Sequence, residues 1–183
     1  MHLYRPKVLV CVAMACSGVA LAIQLASVIG TGWLMFKNTY AGYTYLTENG
    51  LFRYCVEFTG ICSTYDKPEV FPDWATACQT FSILALGAMF GSFVVGILHI
   101  LREETQGLTL LAAEVNMVAA VYIAVEVGLF AGKTKDRIRT TTSSTVSYGY
   151  DFYLSIAAGG LSVVAAILYV VGRVTVRYYY QQL

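Results

Sequence analysis

Four long apolar runs divide the chain, at about residues 8–29, 75–101, 108–132 and 152–171. Each is long enough to cross the hydrocarbon of a bilayer as a helix, which takes about 20 residues. The stretches between them are unequal. That at about 30–74 is long and polar, that at 102–107 is very short, and that at 133–150 is intermediate and rich in Thr and Ser. The short one makes helices two and three a tight antiparallel hairpin. An even number of spans puts both ends of the chain on one side. Residues 1–183 thus read as a single domain, a membrane all-α four-helix bundle with two loops on its far side.

Within the first loop the pattern changes from long apolar runs to strand signals. Residues 33–36, 43–46 and 51–58 are aromatic or β-branched, and Glu48-Asn49-Gly50 and Thr59-Gly60 supply turns. A small antiparallel sheet follows. The third loop adds a Thr-rich stretch at 139–146, free of Gly and Pro, as a further edge strand. A sheet this small is marginal alone. It needs a cross-link and the helix ends beneath it.

Composition agrees with the pattern. The chain is 57% hydrophobic and 13% charged, where a soluble domain is nearer half apolar and a quarter charged. Net charge is +1, which offers nothing to nucleic acid. The first run is too long for a secretory signal and lacks a small-residue cleavage site, so it reads as a retained helix. Lys and Arg divide five to seven between the terminus side and the loop side, so their count does not set the orientation. The flanks of the first helix favour cytoplasmic termini, because Arg5 and Lys7 precede it closely and only Lys37 follows closely. The expected location is the plasma membrane, multi-pass, with both long loops outside.

The cysteines fit that orientation. Cys55 and Cys62 sit in the polar first loop, close enough to staple a hairpin, and an oxidising compartment makes a disulfide their expected state. Six intervening residues suit a bridge between adjacent strands. Cys11, Cys16 and Cys78 lie in apolar runs and read as small buried residues. No metal site is expected, because His2 and His99 are distant from the pair. Nor is an enzyme, a cofactor or a small-molecule substrate: no metalloprotease helix, nucleophile elbow, phosphate loop or dinucleotide fingerprint occurs. No N-glycosylation sequon occurs either.

Two features of the helices are candidates for contact. Helix two carries Gly87-x-x-x-Gly91 and helix four Ser155-x-x-x-Gly159, spacings that let helix backbones approach closely in lipid. The plainer reading is packing within the protein's own bundle, the other a dock for a second membrane protein. Helix three carries Glu114, Asn116 and Glu126. Ionisable groups within a span are functional candidates by default. The two Glu are twelve residues apart, roughly 18 Å of rise and about 120° of rotation, so they form no carboxylate pair. They read as near-interfacial, or as satisfied by partners within the bundle.

Trp33, then Gly50-Leu51-Phe52, then Cys55 and Cys62, set between the first two spans, resemble the signature of the claudin superfamily. That group includes claudins, peripheral myelin and epithelial membrane proteins, and calcium-channel gamma subunits. Phe52 stands where the family usually has Trp, and the cysteines are closer together than in typical claudins. Residues 77–84, at the start of helix two, look more like the epithelial-membrane-protein pattern. Residues 147–153, before helix four, look like the gamma-subunit pattern. The resemblance implies a left-handed bundle carrying an extracellular sheet.

It also implies function through contacts. One reading is a claudin-like cell-contact protein that pairs with itself, laterally and across cells, at junctions, as a paracellular barrier or pore. Phe36, Tyr40, Tyr43 and Tyr45 would then anchor the interface, and Glu57 would be the candidate for charge selectivity. The other is an auxiliary subunit of an ion channel or receptor. A general membrane-organising role is the third. The lipid bilayer is a partner in each.

Overall fold

The computed structural model describes residues 5–40, 43–57, 59–65, 73–101, 106–140 and 144–181. Four helices span the membrane: α1 (Arg5–Ile29), α2 (Asp73–Leu101), α3 (Gln106–Thr134) and α4 (Tyr150–Gln181). They run longer than the apolar runs predict because polar residues at their ends extend them. Asp73 and Asp151 occupy the first turns of α2 and α4, where a carboxylate complements the positive end of the helix dipole. Exposed Val, Ile, Leu and Phe side chains cover the outside of every helix, among them Val19, Ile83, Phe90, Val121 and Ile167. A surface of this kind suits lipid, which solvates hydrocarbon but leaves no partner for an unpaired backbone group.

Six strands form one antiparallel sheet. They are β1 (Leu34–Tyr40), β2 (Tyr43–Asn49), β3 (Arg53–Val56), β4 (Ile61–Thr64), β5 (Arg139–Thr140) and β6 (Ser144–Tyr148), in the order β4-β3-β2-β1-β6-β5. Three details differ from the sequence expectation. Glu48 and Asn49 continue β2, so the turn falls on Gly50–Phe52 instead; the pairings Met35 with Glu48 and Leu34 with Asn49 hold them in the ladder. The expected strand at 51–58 shortens to β3, and the expected turn at Thr59-Gly60, where Gly60 takes φ 64°, a conformation natural to glycine, leads into a further strand, β4. The third-loop stretch is not a single edge strand. Its β6 lies inside the sheet, paired to β1 from Leu34–Tyr148 to Asn38–Ser144, and only the two-residue β5 is at the edge.

The chain divides into two compact units, described separately below. The first gathers Met1–Ala22, Leu84–Tyr122 and Ala157–Leu183; the second gathers Ile23–Ile83 and Ile123–Ile156 and contains the whole sheet. In the first unit Val10, Ala13, Ala112, Ala113, Ala166 and Tyr169 form the core. In the second the core is Trp33, Leu34, Leu51, Cys78, Phe130 and Phe152, with Phe36, Phe52, Trp74 and Tyr148 packed against it.

Candidate functional site

The sheet is stapled where the sequence places the staple. Cys55 and Cys62 face each other across the β3–β4 ladder, their Cα atoms 4.1 Å apart, and are joined as a disulfide. Strand alternation and register sort the remaining side chains. Leu34 and Phe36 of β1 share a face with Tyr45 of β2, Val56 of β3 and Ile61 of β4. Leu34 and Phe36 pack into the core. Tyr43, Tyr45 and Ile61 on that same face are exposed, at 77%, 37% and 58%. The core-facing side of the sheet therefore runs on as an uncovered aromatic and aliphatic patch. Phe36 belongs to the core and not to the exposed anchors the sequence suggested. The Tyr40 side chain lies outside the described residues. Glu57 is exposed just past β3, its N–H bonded to Leu46 O at 3.0 Å.

The motif residues hold the root of the sheet. Trp33 is fully buried, its Nε1 donates to Ser27 O at 2.8 Å, and its ring meets Phe130 edge-on at 5.0 Å. Leu51 is buried, and its carbonyl accepts from Gln79 Nε2 of α2 at 2.7 Å. Phe52 packs half-buried on the same core. Gly50 is required by space: a Cβ there would run into the carbonyl of Gly30 and the Cα of Thr31. Tyr65 Oη donates to Gly50 O at 3.4 Å. Burial, with Tyr54 beside it, pushes the Tyr65 phenol up to about 12.

Asp151 is the residue the sequence reading missed. It is buried at the first turn of α4, and Gly32 N–H donates to its Oδ2 at 2.6 Å. Its own N–H donates to Gly32 O at 2.9 Å, and Ser27 Oγ donates to its carbonyl at 2.7 Å. Gly149 N–H donates to Trp33 O at 3.1 Å. A Cβ at Gly30 would collide with the Asp151 carboxylate, and one at Gly149 with the Gly32 carbonyl. The signal in sequence is slight: glycines at 30, 32 and 149 and an acid opening a span. Their meeting depends on β6 lying beside β1.

Each unit also holds a buried polar cluster. In the second, Glu126 is fully buried and accepts from Ser82 Oγ and from Gln24 Nε2, the latter at 3.2 Å; Ser155 Oγ donates to Gln24 Oε1 at 3.1 Å. In the first, Asn116 Nδ2 donates to Ser17 Oγ at 3.0 Å, to Ser92 Oγ, and to Ala112 O at 3.1 Å. Both Asn116 and Glu126 are thus satisfied by bundle partners, whereas Glu114 is exposed.

The small-residue motifs part company. Ser155 joins the Glu126 cluster, and Gly159 is half-buried. Gly87 and Gly91 serve no close packing among the described residues: a Cβ at either meets nothing within 4 Å. Of the two readings of this pair, the open space gives no support to packing within the bundle. Cys78 is buried and Cys16 half-buried, but Cys11 is exposed on α1, contrary to the reading of all three as buried. Among the described residues no group of three or more His, Cys, Asp and Glu gathers to hold a metal.

A buried Trp rooting a stapled antiparallel sheet, in a chain with four helices long and apolar enough to cross a membrane, defines a class of tetraspan membrane protein. Residues 63–171, more than half of the chain, match the sequence profile described as PMP-22/EMP/MP20/Claudin tight junction. The protein belongs to this family. No curated protein matches the chain.

Proposed function

We propose that the protein works by contact rather than by catalysis, as a claudin-like cell-contact protein whose stapled sheet faces outside the cell from the plasma membrane. The observation that carries this reading is the uncovered patch of Tyr43, Tyr45 and Ile61 on the sheet. Exposed aromatic and aliphatic groups flanked by polar residues mark protein interfaces. Among the described residues β4 is the last strand on its side of the sheet, and a sheet edge invites a further strand. On this reading copies meet side by side and across facing cells, and cytoplasmic termini follow from an outward sheet. Exposed Glu57, at the end of β3, is the candidate to set charge preference if the contacts enclose a path for ions.

A second reading is supported by α2. Gly87 and Gly91 leave open space beside exposed Phe90 and Ile83, which suits a close-packed helix of another membrane protein. That is what an auxiliary subunit of a channel or receptor would need. Crosslinking and affinity purification from native membrane, with mass spectrometry of what co-purifies, tests both. Self-oligomers with label concentrated at cell–cell borders support the contact reading. A stoichiometric channel or receptor overturns it in favour of the second.

A further inference from the structure

We propose that Glu126 is a positioning residue for the sheet: its carboxyl bonds side chains of α1 and α2 directly and reaches α4 through Gln24, and a polar ladder along α1 and α4 carries that setting to the roots of β1 and β6. The inference holds whatever the sheet contacts.

The cluster draws Gln24 from α1, Ser82 from α2, Glu126 from α3 and Ser155 from α4. Within a span no water replaces a lost partner, so a rotation of any one helix strands polar atoms. Next comes the ladder. Ser27 lies one turn beyond Gln24 on α1, and Asp151 one turn before Ser155 on α4. Ser27 Oγ donates to Asp151 O at 2.7 Å, so the two helices are bonded at both levels. From there the bonds reach the sheet. Gly32 N–H donates to Asp151 Oδ2 at 2.6 Å, and Trp33 Nε1 to Ser27 O at 2.8 Å. Trp33 immediately precedes β1, and Gly149, bonded to the Trp33 carbonyl at 3.1 Å, immediately follows β6. On α2, Gln79 lies one turn before Ser82, and its Nε2 holds the Leu51 carbonyl ahead of β3 at 2.7 Å. Three strand roots are therefore one or two hydrogen bonds from the cluster.

Small apolar residues would pack such a bundle without stranding anything. An ionisable group at its centre is costly in a span and is kept where it does something. The hydrogen-bonding shape of Glu126 is what the ladder requires. Glu126→Gln keeps that shape: its oxygen accepts from Ser82, and its amide meets the carbonyl of Gln24 once the Gln24 amide turns over. Gln24 then donates to Ser155 Oγ. Glu126→Leu removes both carboxylate bonds, leaving Ser82 Oγ and Gln24 Nε2 without that acceptor.

The test is hydrogen–deuterium exchange of the full-length protein in lipid nanodiscs, comparing residues 27–40 and 144–151 with residues 109–122. In Glu126→Leu the first two segments should exchange roughly tenfold faster, as loss of buried hydrogen bonds implies, and the third less than about twofold faster. Glu126→Gln should stay within about twofold of the native protein throughout. An unchanged sheet in Glu126→Leu overturns the proposal. So does equal loosening of residues 109–122, or a Glu126→Gln as loose as the Leu variant. If Glu126→Leu fails to reach the membrane, Ser155→Ala makes the same test by removing one hydroxyl: about threefold faster exchange over 27–40 is expected, and no change overturns the idea.

Discussion

The two units use the same two devices, glycine and buried polar atoms, for different ends. In the first unit the glycines make room for side chains: Phe93 lies on Gly18, Tyr169 on Gly96 and Val10 on Gly172. Its polar cluster is neutral, built on Asn116 and two serines. In the second unit three glycines make room for main chain or for a carboxylate, Gly50 against Gly30 and Thr31, Gly149 against Gly32 and Gly30 against Asp151, while Gly32 lies against the Tyr150 ring. The cause is where the backbone stops being helical. A membrane helix satisfies its own N–H and C=O groups. Around residues 30–33 and 149–151 the chain leaves α1 and enters α4, and those groups must find partners elsewhere. The bonds among Gly32, Trp33, Gly149 and Asp151 meet that need. Shape therefore organises the first unit, and matched polar groups organise the second.

Removing the side chain at the centre of the second unit should break the contrast most. Trp33 is fully buried among Phe130 and Phe152 and carries a hydrogen bond to Ser27. Trp33→Ala should cost about 3–5 kcal/mol. The expected outcome is a cooperative loss of the sheet in a denaturant titration in detergent, followed by tryptophan-independent circular dichroism. A stability within error of the native protein would mean that the root of the sheet is held by something other than this core.

The staple comes next. Four-residue strands such as β3 and β4 are marginal alone, so Cys55→Ser or Cys62→Ser should cost about 2–5 kcal/mol. Both variants should show the same loss of surface delivery, because each breaks the same bond. Exchange should rise in β3 and β4 and not around Asn116. Normal surface levels in both would remove the disulfide from the account of the second unit.

Part of this was legible in the chain and part was not, for physical reasons. The spans are written as composition, because lipid accepts only long apolar helices. Trp33, Gly50, Leu51 and the two cysteines are written as a motif, and all of them converge on the root or the staple of the sheet. The family match begins at residue 63, so it rests on a different stretch of chain from that motif. Phe36 was misplaced because an aromatic in a strand says nothing of which face it takes. Register decides that, and register was set by a non-local pairing of β1 with β6. Asp151 and Gly30 were missed for the same cause: neither is informative until the segment before α4 folds beside the end of α1. Gln24 went unremarked because its partner lies 102 residues away.

The two uses of glycine can be compared directly. Gly50→Ala places a methyl against main chain that cannot move aside, and should cost about 3 kcal/mol, at the upper end for overpacking. Gly96→Ala meets the Tyr169 hydroxyl and the Met14 side chain instead. Those can shift, so about 1 kcal/mol is expected. Paired thermal melts of the two variants in one detergent provide the measurement. Equal losses would erase the distinction between glycines that admit backbone and glycines that admit side chains.

The smallest effect on folding sharpens the comparison from the other side. Gly87 and Gly91 belong to the first unit, yet a Cβ at either finds open space, unlike those at Gly18, Gly96 and Gly172. Glycine within a helix costs about 0.5–1 kcal/mol relative to Ala. The double variant Gly87→Ala with Gly91→Ala should therefore leave the melting temperature unchanged or slightly raised. Gly87→Leu with Gly91→Leu should also fold, since among the described residues a Cβ at either position meets nothing within 4 Å, but it fills the groove that a second helix would need. If those glycines receive a membrane partner, crosslinking yield at α2 falls in the Leu variant while sheet-mediated self-association persists. A Leu variant that melts far below the native protein would return these glycines to packing within the bundle.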